Sequence, residues 1–331
     1  MLLCEGGTGV EQGLAGLRRA GRPLVLSHWP SVRHGDRPVG HRASVRAVLT
    51  ISTSLGQVAY DSKGSGAPVV FLASGGHDAH DFDELRQRLP GRFRSIAIDW
   101  PGHGDSPAWR DPPGEVQLTR MVEEVIDALC PTGAVLVGNS IGGNVSARLA
   151  STRSDLVKGL MIIDSSGFER PLGHAGRAFC TLMGHPGFVR AIYPLFSKLY
   201  MRARTDADRR ARASAIALTR TENGARALSA MWQSFKLPSH DLRSRASSIA
   251  APTVLVWGRH DPIVAPKCGR AANELIAGSK LVLVDSGHAP QTTIPDTVAA
   301  QLIALLDVAF PAGDPGELSE PPFLSRKDHQ R

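Results

Sequence analysis

Residues 135–145, VLVGNSIGGNV, constrain the fold of this chain more than any other stretch. An apolar run over 134–137 stops at Gly138, and Asn139, Ser140 and Ile141 lead into Gly142 and Gly143. Beyond them Val145, Leu149 and Ala150 recur at helical spacing. The pattern is strand, sharp turn, helix, with one hydroxyl at the apex in a G-x-S-x-G frame. A serine on so tight a turn has strained dihedrals, and the positions two residues away crowd strand against helix. Glycine there removes the Cβ atoms that would collide. The turn lifts the Ser140 hydroxyl clear of the sheet and aims the Ile141 N–H, at the helix start, toward the same space.

The surrounding chain alternates regularly. Residues 47–51 and 57–60 read as strands around Ser54-Leu55-Gly56, and 68–72 is an apolar run of the kind buried on both faces of a sheet. The small-residue loop Ala73-Ser74-Gly75-Gly76-His77-Asp78 follows, then a helix over 82–89 and a strand over 95–99. Trp100-Pro101-Gly102-His103-Gly104-Asp105-Ser106 leads on to a helix over 118–129. After the central stretch a strand over 157–163 ends in Asp164-Ser165-Ser166-Gly167. This order predicts an α/β protein with a mostly parallel central sheet flanked by helices. In such sheets the chemistry gathers at the carboxyl ends of the strands, where Asp99, Ser140 and Asp164 lie.

Residues 168–247 lose the strand pattern. They are helical in period, arginine-rich and punctuated by Gly184, Pro186, Pro194 and Pro238. Alternation then resumes, with strands over 253–257 and 281–284 and helices over 268–277 and 297–310, the last ended by Pro311. The expected organisation is a poorly ordered extension over 1–45, a core built from 46–166 and 248–310, a helical cap over 167–247 and a flexible tail over 311–331.

A serine nucleophile needs a base, and the base an orienting acid. The strand over 253–257 runs into Gly258-Arg259-His260-Asp261-Pro262, and that over 281–284 into Asp285-Ser286-Gly287-His288-Ala289-Pro290. Neighbouring parallel strands lie about 4.8 Å apart, so these loops bring side chains together. Ser140 is the expected nucleophile, His288 the base and Asp261 the acid, with Asp164 as the rival acid. His260 has no acid placed to orient it and reads as loop structure. The oxyanion requires two N–H donors. Ile141 supplies one, and Gly75, with Gly76 as the other possibility, supplies the second from the loop after 68–72.

Composition excludes several classes. The net charge of +7 comes from dispersed residues with 5% aromatics and no nucleic-acid motif, which favours solubility over nucleic-acid binding. The four cysteines form no C-x-x-C, and His34 and His41 lack partners at ligand spacing, so neither a metal site nor a redox motif is read. No cofactor is expected. No apolar stretch approaches the roughly 18 residues of a membrane helix, and no signal-peptide core is recognised. A cytoplasmic location and a small-molecule substrate are expected; the oligomeric state is not read.

Taken together, Gly138-Asn139-Ser140-Ile141-Gly142-Gly143, Asp99-Trp100-Pro101-Gly102-His103-Gly104-Asp105-Ser106, Gly258-Arg259-His260-Asp261 and Gly287-His288 resemble the α/β-hydrolase fold superfamily, in its branch with a helical cap. The resemblance covers about residues 46–310. It implies the triad order serine, acid, histidine, and it makes His103 part of a structural turn. Two departures stand out. Ala73-Ser74 replaces a common His-Gly in the oxyanion loop. The elbow is similar to that of carbon–carbon bond hydrolases, yet Ala289 follows His288 where those usually carry Trp. The expected function is therefore a serine hydrolase of a carboxylic ester or related acyl bond, working through an acyl-enzyme. Carbon–carbon bond hydrolysis, cofactor-free perhydrolysis of haloperoxidase type, and non-catalytic binding of a small ligand are the alternatives. Asn139, Gly76 and Trp232 are expected around the substrate, and Phe179, Met183, Tyr193 and Phe196 to shape the pocket from the cap.

Overall fold

The computed structural model describes residues 27–29 and 48–311, except residues 170 and 202. Nine strands form one sheet among the described residues, in the order β1-β2-β3-β5-β4-β6-β7-β8-β9. They are β1 (Ser27–Trp29), β2 (Val48–Thr53), β3 (Gly56–Lys63), β4 (Ala67–Leu72), β5 (Phe93–Ile98), β6 (Ala134–Asn139), β7 (Val157–Ile163), β8 (Thr253–Gly258) and β9 (Lys280–Val284). The pairs from β5 to β9 are parallel, whereas β1, β2 and β3 join antiparallel at one edge. The expected mostly parallel sheet is therefore present. The readings of residues 1–45 and 311–331 fall almost wholly outside the described residues. The exception corrects the first of them: Ser27–Trp29, within a segment read as unpacked, pairs with Val48–Thr50 of β2.

The helices are α1 (Asp83–Arg86), α2 (Glu115–Leu129), α3 (Ile141–Thr152), α4 (His174–Met183), α5 (Pro186–Tyr200), α6 (Asp206–Arg220), α7 (Glu222–Ser234), α8 (Arg243–Ala246), α9 (Pro266–Leu275), α10 (Pro290–Thr293) and α11 (Pro295–Ala309). The helix expected over 82–89 is shorter: a 3-10 turn, Ala79–Phe82, capped by Asp78, feeds α1. Strand alternation sorts the core onto two faces. Val70, Leu72, Leu136, Leu160, Ile162 and Leu255 pack on one face with α2, α3 and α9. Val69, Phe71, Val135, Val137, Met161 and Val256 pack on the other with α1 and α11.

Helices α4–α8 occupy the interval between β7 and β8. Their own apolar cluster includes Met183, Val189, Tyr193, Tyr200 and Leu228, and it reaches Ala289, next to His288. Strand β4 has β5 on one side and β6 on the other. The strand order thus reverses between β4 and β6, and open α/β sheets bind ligands in the crevice at such a point. The loops after these two strands carry Gly75 and Ser140.

Candidate active site

Ser140 sits at φ 55° and ψ −117°, in the left-handed half of backbone space that a non-glycine residue rarely occupies. The turn is held by Ser140 N–H donating to Ile163 O at 2.9 Å and Asn144 N–H donating to Ser140 O at 3.1 Å. The glycine frame is explained by collisions. A Cβ on Gly138 would run into Gly142 O, and one on Gly142 into Leu72 O. Strand β6, helix α3 and strand β4 approach too closely for any side chain at either position. Helix α3 starts at Ile141, so that N–H has no partner within the helix.

His288 and Asp261 meet in the loops after β9 and β8. His288 Nδ1 lies 2.6 Å from Asp261 Oδ2, and both side chains are buried. Asp261 Oδ1 accepts the N–H groups of Ile263 at 2.7 Å and Val264 at 3.2 Å. Four acceptances would saturate the carboxylate; three fix it firmly, with Oδ2 kept for the imidazole. The loops lie close because a Cβ on Gly258 would strike Gly287 O.

Asp164 takes another role. Its φ is 45°, it is fully buried, and Oδ1 accepts the Gly258 N–H at 2.8 Å. An oxygen of Asp164, one of Asp261 and a ring nitrogen of His288 lie within 4.8 Å of one another. Burial, reinforced by the Asp261 charge, pushes the Asp164 carboxyl well above the usual carboxylate range. Two such carboxyl groups out of water do not both ionise. Asp164 is therefore the carboxyl of the two that burial disfavours as an anion, while Asp261 meets two N–H donors and the imidazole.

The loop after β4 is clamped from below. Trp100 Nε1–H donates to Ala73 O at 2.8 Å, and Gly76 N–H donates to His103 Nε2 at 3.1 Å. His103 Nδ1 lies 3.2 Å from Pro101 O, so it carries the ring proton and Nε2 accepts. Burial pushes this imidazole down to about 4. Gly76 is thereby committed and does not line the cavity. Gly75 does; the position of a Cβ there is 3.9 Å from Ile141 Cγ2, so the two expected oxyanion donors are neighbours.

Ser140, His288 and Gly75 open on one cavity of about 360 Å³ beneath α4, α5 and α7. Its wall is largely apolar, with Phe179, Phe196, Leu228, Met231, Trp232 and Phe235 among the lining residues. Among the described residues no hydrogen bond joins Ser140 Oγ to His288; the two share the wall. Trp232, Phe179, Tyr193 and Phe196 line the cavity, while Met183 is buried inside the helical cluster. Asn139 is corrected. Its amide donates to Ile163 O at 3.1 Å and His288 O at 3.2 Å and accepts from Gln291 at 3.1 Å, tying β6 to the His288 loop outside the cavity. His260 is corrected too: Asp285 lies 2.8 Å from its Nε2, an exposed pair at the surface.

Several polar contacts at and beside the cavity escape sequence reasoning. His77 Nδ1 stands 2.7 Å from Asp81 Oδ2, and its Nε2 2.9 Å from the Tyr200 hydroxyl, which meets the Tyr193 hydroxyl at 2.7 Å. Ser166 and His240 also meet on the wall, at 2.9 Å. The sequence places Ser166 just past a strand end, His77 in the loop after 68–72 and Tyr193 on the cap, but gives none of these pairings.

Comparison with known proteins agrees with this architecture. A family model described as "alpha/beta hydrolase fold" matches residues 67–293. The chain is 29% identical over 241 residues to the pimeloyl-[acyl-carrier protein] methyl ester esterase of Neisseria meningitidis serogroup C, covering 70% of this chain and 90% of that one. It is 29% identical over 267 residues to the "Putative carbamate hydrolase RutD" of Klebsiella pneumoniae, covering 74% and 94%. Among solved structures, a thermophilic esterase from Thermogutta terrifontis superposes with a TM-score of 0.69 at 20% identity, covering 79% of this chain and 98% of that one, a likeness of fold. With the family model spanning residues 67–293, most of the chain, this protein belongs to the α/β hydrolase fold family.

Proposed function

We propose that this protein is a serine hydrolase that cleaves a carboxylic ester or a related acyl bond of a small, largely apolar substrate. The observation that carries the reading is the 2.6 Å contact between His288 Nδ1 and Asp261 Oδ2, buried beside a cavity that also exposes Ser140 on its strained turn. In this reading Ser140 Oγ attacks the carbonyl carbon while His288 Nε2 takes its proton. Asp261 keeps the imidazole in the Nδ1–H tautomer and stabilises the imidazolium. The N–H groups of Gly75 and Ile141 receive the oxyanion. His288 then protonates the leaving group, and water, deprotonated by His288, resolves the acyl-enzyme. Catalytic hydrogen bonds are often long or unaligned before substrate binds, so the open Ser140–His288 pair is compatible with this reading.

Residues 46–166 and 248–310 form the core in this proposal and 167–247 the cap that walls the acyl site. The apolar lining supports an apolar acyl group. The relatives named for a methyl ester and a carbamate share an acyl carbonyl joined to a heteroatom, which the same attack would open. Cys130, Cys180 and Cys268 are buried free thiols, which supports the reducing, cytoplasmic setting.

Labelling with a fluorophosphonate tests the reading. Stoichiometric labelling of the natural protein, abolished by Ser140→Ala and by His288→Ala, is expected, with turnover along a p-nitrophenyl ester chain-length series. Folded protein that neither labels nor turns over any ester of the series would replace this proposal with non-catalytic binding.

A further inference from the structure

The apolar wall of the cavity is interrupted on the side formed by the β7–α4 connection and the turn before α8, where Ser166, Glu169 and His240 line it. Their hydrogens are fixed by a residue behind them. Asn144 Nδ2 lies 3.2 Å from Ser166 O and 3.2 Å from His240 O, and only the NH2 end of the amide satisfies two carbonyls. The same Nδ2 faces His240 Nδ1 at 3.5 Å, so this ring nitrogen presents its lone pair. Burial pushes the imidazole below its ordinary value, which keeps the ring neutral. Its one proton therefore sits on Nε2, and at 2.9 Å it is donated to Ser166 Oγ.

Two consequences follow from that tautomer. His240 has no lone pair facing Ser166 and cannot act as its base, so Ser166 is not a second nucleophile. The Ser166 hydroxyl proton has no acceptor among the described residues, so Ser166 is a donor on the cavity wall. Glu169 supplies the opposite character. Its Oε2 accepts the Gly167 N–H at 3.1 Å, and its carboxyl also meets the Cys268 thiol.

We propose that Ser166 and Glu169 form a polar subsite that takes an uncharged hydroxyl on the acyl chain of the substrate, Ser166 donating to its oxygen and Glu169 accepting its proton. The inference rests on the hydrolase reading in placing the acyl chain in this cavity. An alkyl tail would leave the Ser166 hydroxyl proton and the spare lone pairs of Glu169 desolvated and unmet. A carboxylate tail would set a second acidic group beside Glu169, whose carboxyl burial already pushes up, so that one of the two would have to hold a proton. Discrimination thus runs hydroxyl over alkyl and hydroxyl over carboxylate.

The test is binding to the Ser140→Ala protein, which does not depend on turnover. Isothermal calorimetry with methyl hexanoate, its ω-hydroxy isostere and monomethyl adipate is expected to rank the hydroxy ester about ten-fold tighter than the alkyl ester, the scale of a made against an unmade hydrogen bond. The adipate should bind weaker than the hydroxy ester by at least a similar factor. Adding Ser166→Ala should bring the hydroxy-to-alkyl ratio close to one, and adding Glu169→Gln should recover the adipate. Equal affinity for the hydroxy and alkyl esters, tighter binding of the adipate, or no binding of the three would overturn the subsite. Fluorophosphonate labelling of the natural protein reads the hydrolase proposal separately, so the two fail in distinguishable ways.

Discussion

Gly76 N–H donates to His103 Nε2 across 3.1 Å, and this bond decides which glycine of the loop after β4 keeps a free N–H at the cavity. His103 is fully buried, and desolvation holds its imidazole down at about 4, below the ordinary value near 6.5. The folded protein therefore binds fewer protons than the unfolded chain between these values. Stability rises with pH across that window and is lost as pH falls from about 6.5 toward about 4. Chemical denaturation as a function of pH should show this loss, and His103→Gln should flatten it. An unchanged slope in the variant would remove His103 as its source.

Asp164 and Asp261 lie side by side with different partners, the Gly258 N–H for one and the His288 imidazole for the other. Asp164→Asn retains an acceptor for the Gly258 N–H and suits the positive φ, and it replaces a carboxyl that burial disfavours as an anion by a neutral amide. It is expected to leave the acidic limb of the pH–kcat/KM profile in place. On the proposed mechanism Asp261→Asn removes the carboxylate that orients His288 and stabilises the imidazolium, and kcat should fall by about 10⁴. If Asp164→Asn instead moves the acidic limb downward, Asp164 carries the charge in the natural protein.

The elbow glycines differ sharply in tolerance from Gly75. Gly138→Ala and Gly142→Ala each drive a Cβ into backbone carbonyl oxygens of packed elements, which cannot move aside. Both should fail to yield cooperatively folded protein. At Gly75 the nearest atoms to a Cβ are Met231 Sδ at 3.2 Å and Leu228 Cδ1 at 3.4 Å, ends of flexible side chains. Gly75→Ala should fold, with a melting temperature near that of the natural protein. Thermal unfolding of the three variants checks the contrast.

Tyr200 joins the helical layer to the core through its hydroxyl, which His77 Nε2 and the Tyr193 hydroxyl share. Tyr200→Phe keeps the ring against His288 and deletes that shared partner of two buried groups. A buried polar group left unpaired costs about 1–3 kcal/mol, which should lower Tm by several degrees. An unaltered Tm would show that the two neighbours find other partners.

The strand–turn–helix around Ser140 was legible in the sequence because its cause is local: apolar period, glycine spacing and a helical repeat lie within a dozen residues. The alternation that predicts the parallel sheet is local in the same way, and so is the position of Asp261 and His288 just past two strands. Neighbouring strands then force the two loops together. What the sequence left open had partners far along the chain. Asn139 reads as a pocket residue beside the serine, but Gln291 and the His288 carbonyl claim its amide. Asp164 and Asp261 both follow strands, and only side-chain direction separates the residue that meets His288 from the one that meets the Gly258 N–H. Ser27–Trp29 carries no period of its own and becomes a strand by pairing with β2. His240, Ser166, Tyr200 and His77 gain their meaning from contacts across 74 to 123 residues of chain. Local pattern fixes the elements and the ends at which chemistry collects. Which polar atoms find one another there is decided by packing, because each buried donor or acceptor must take whichever partner the folded interior brings within reach.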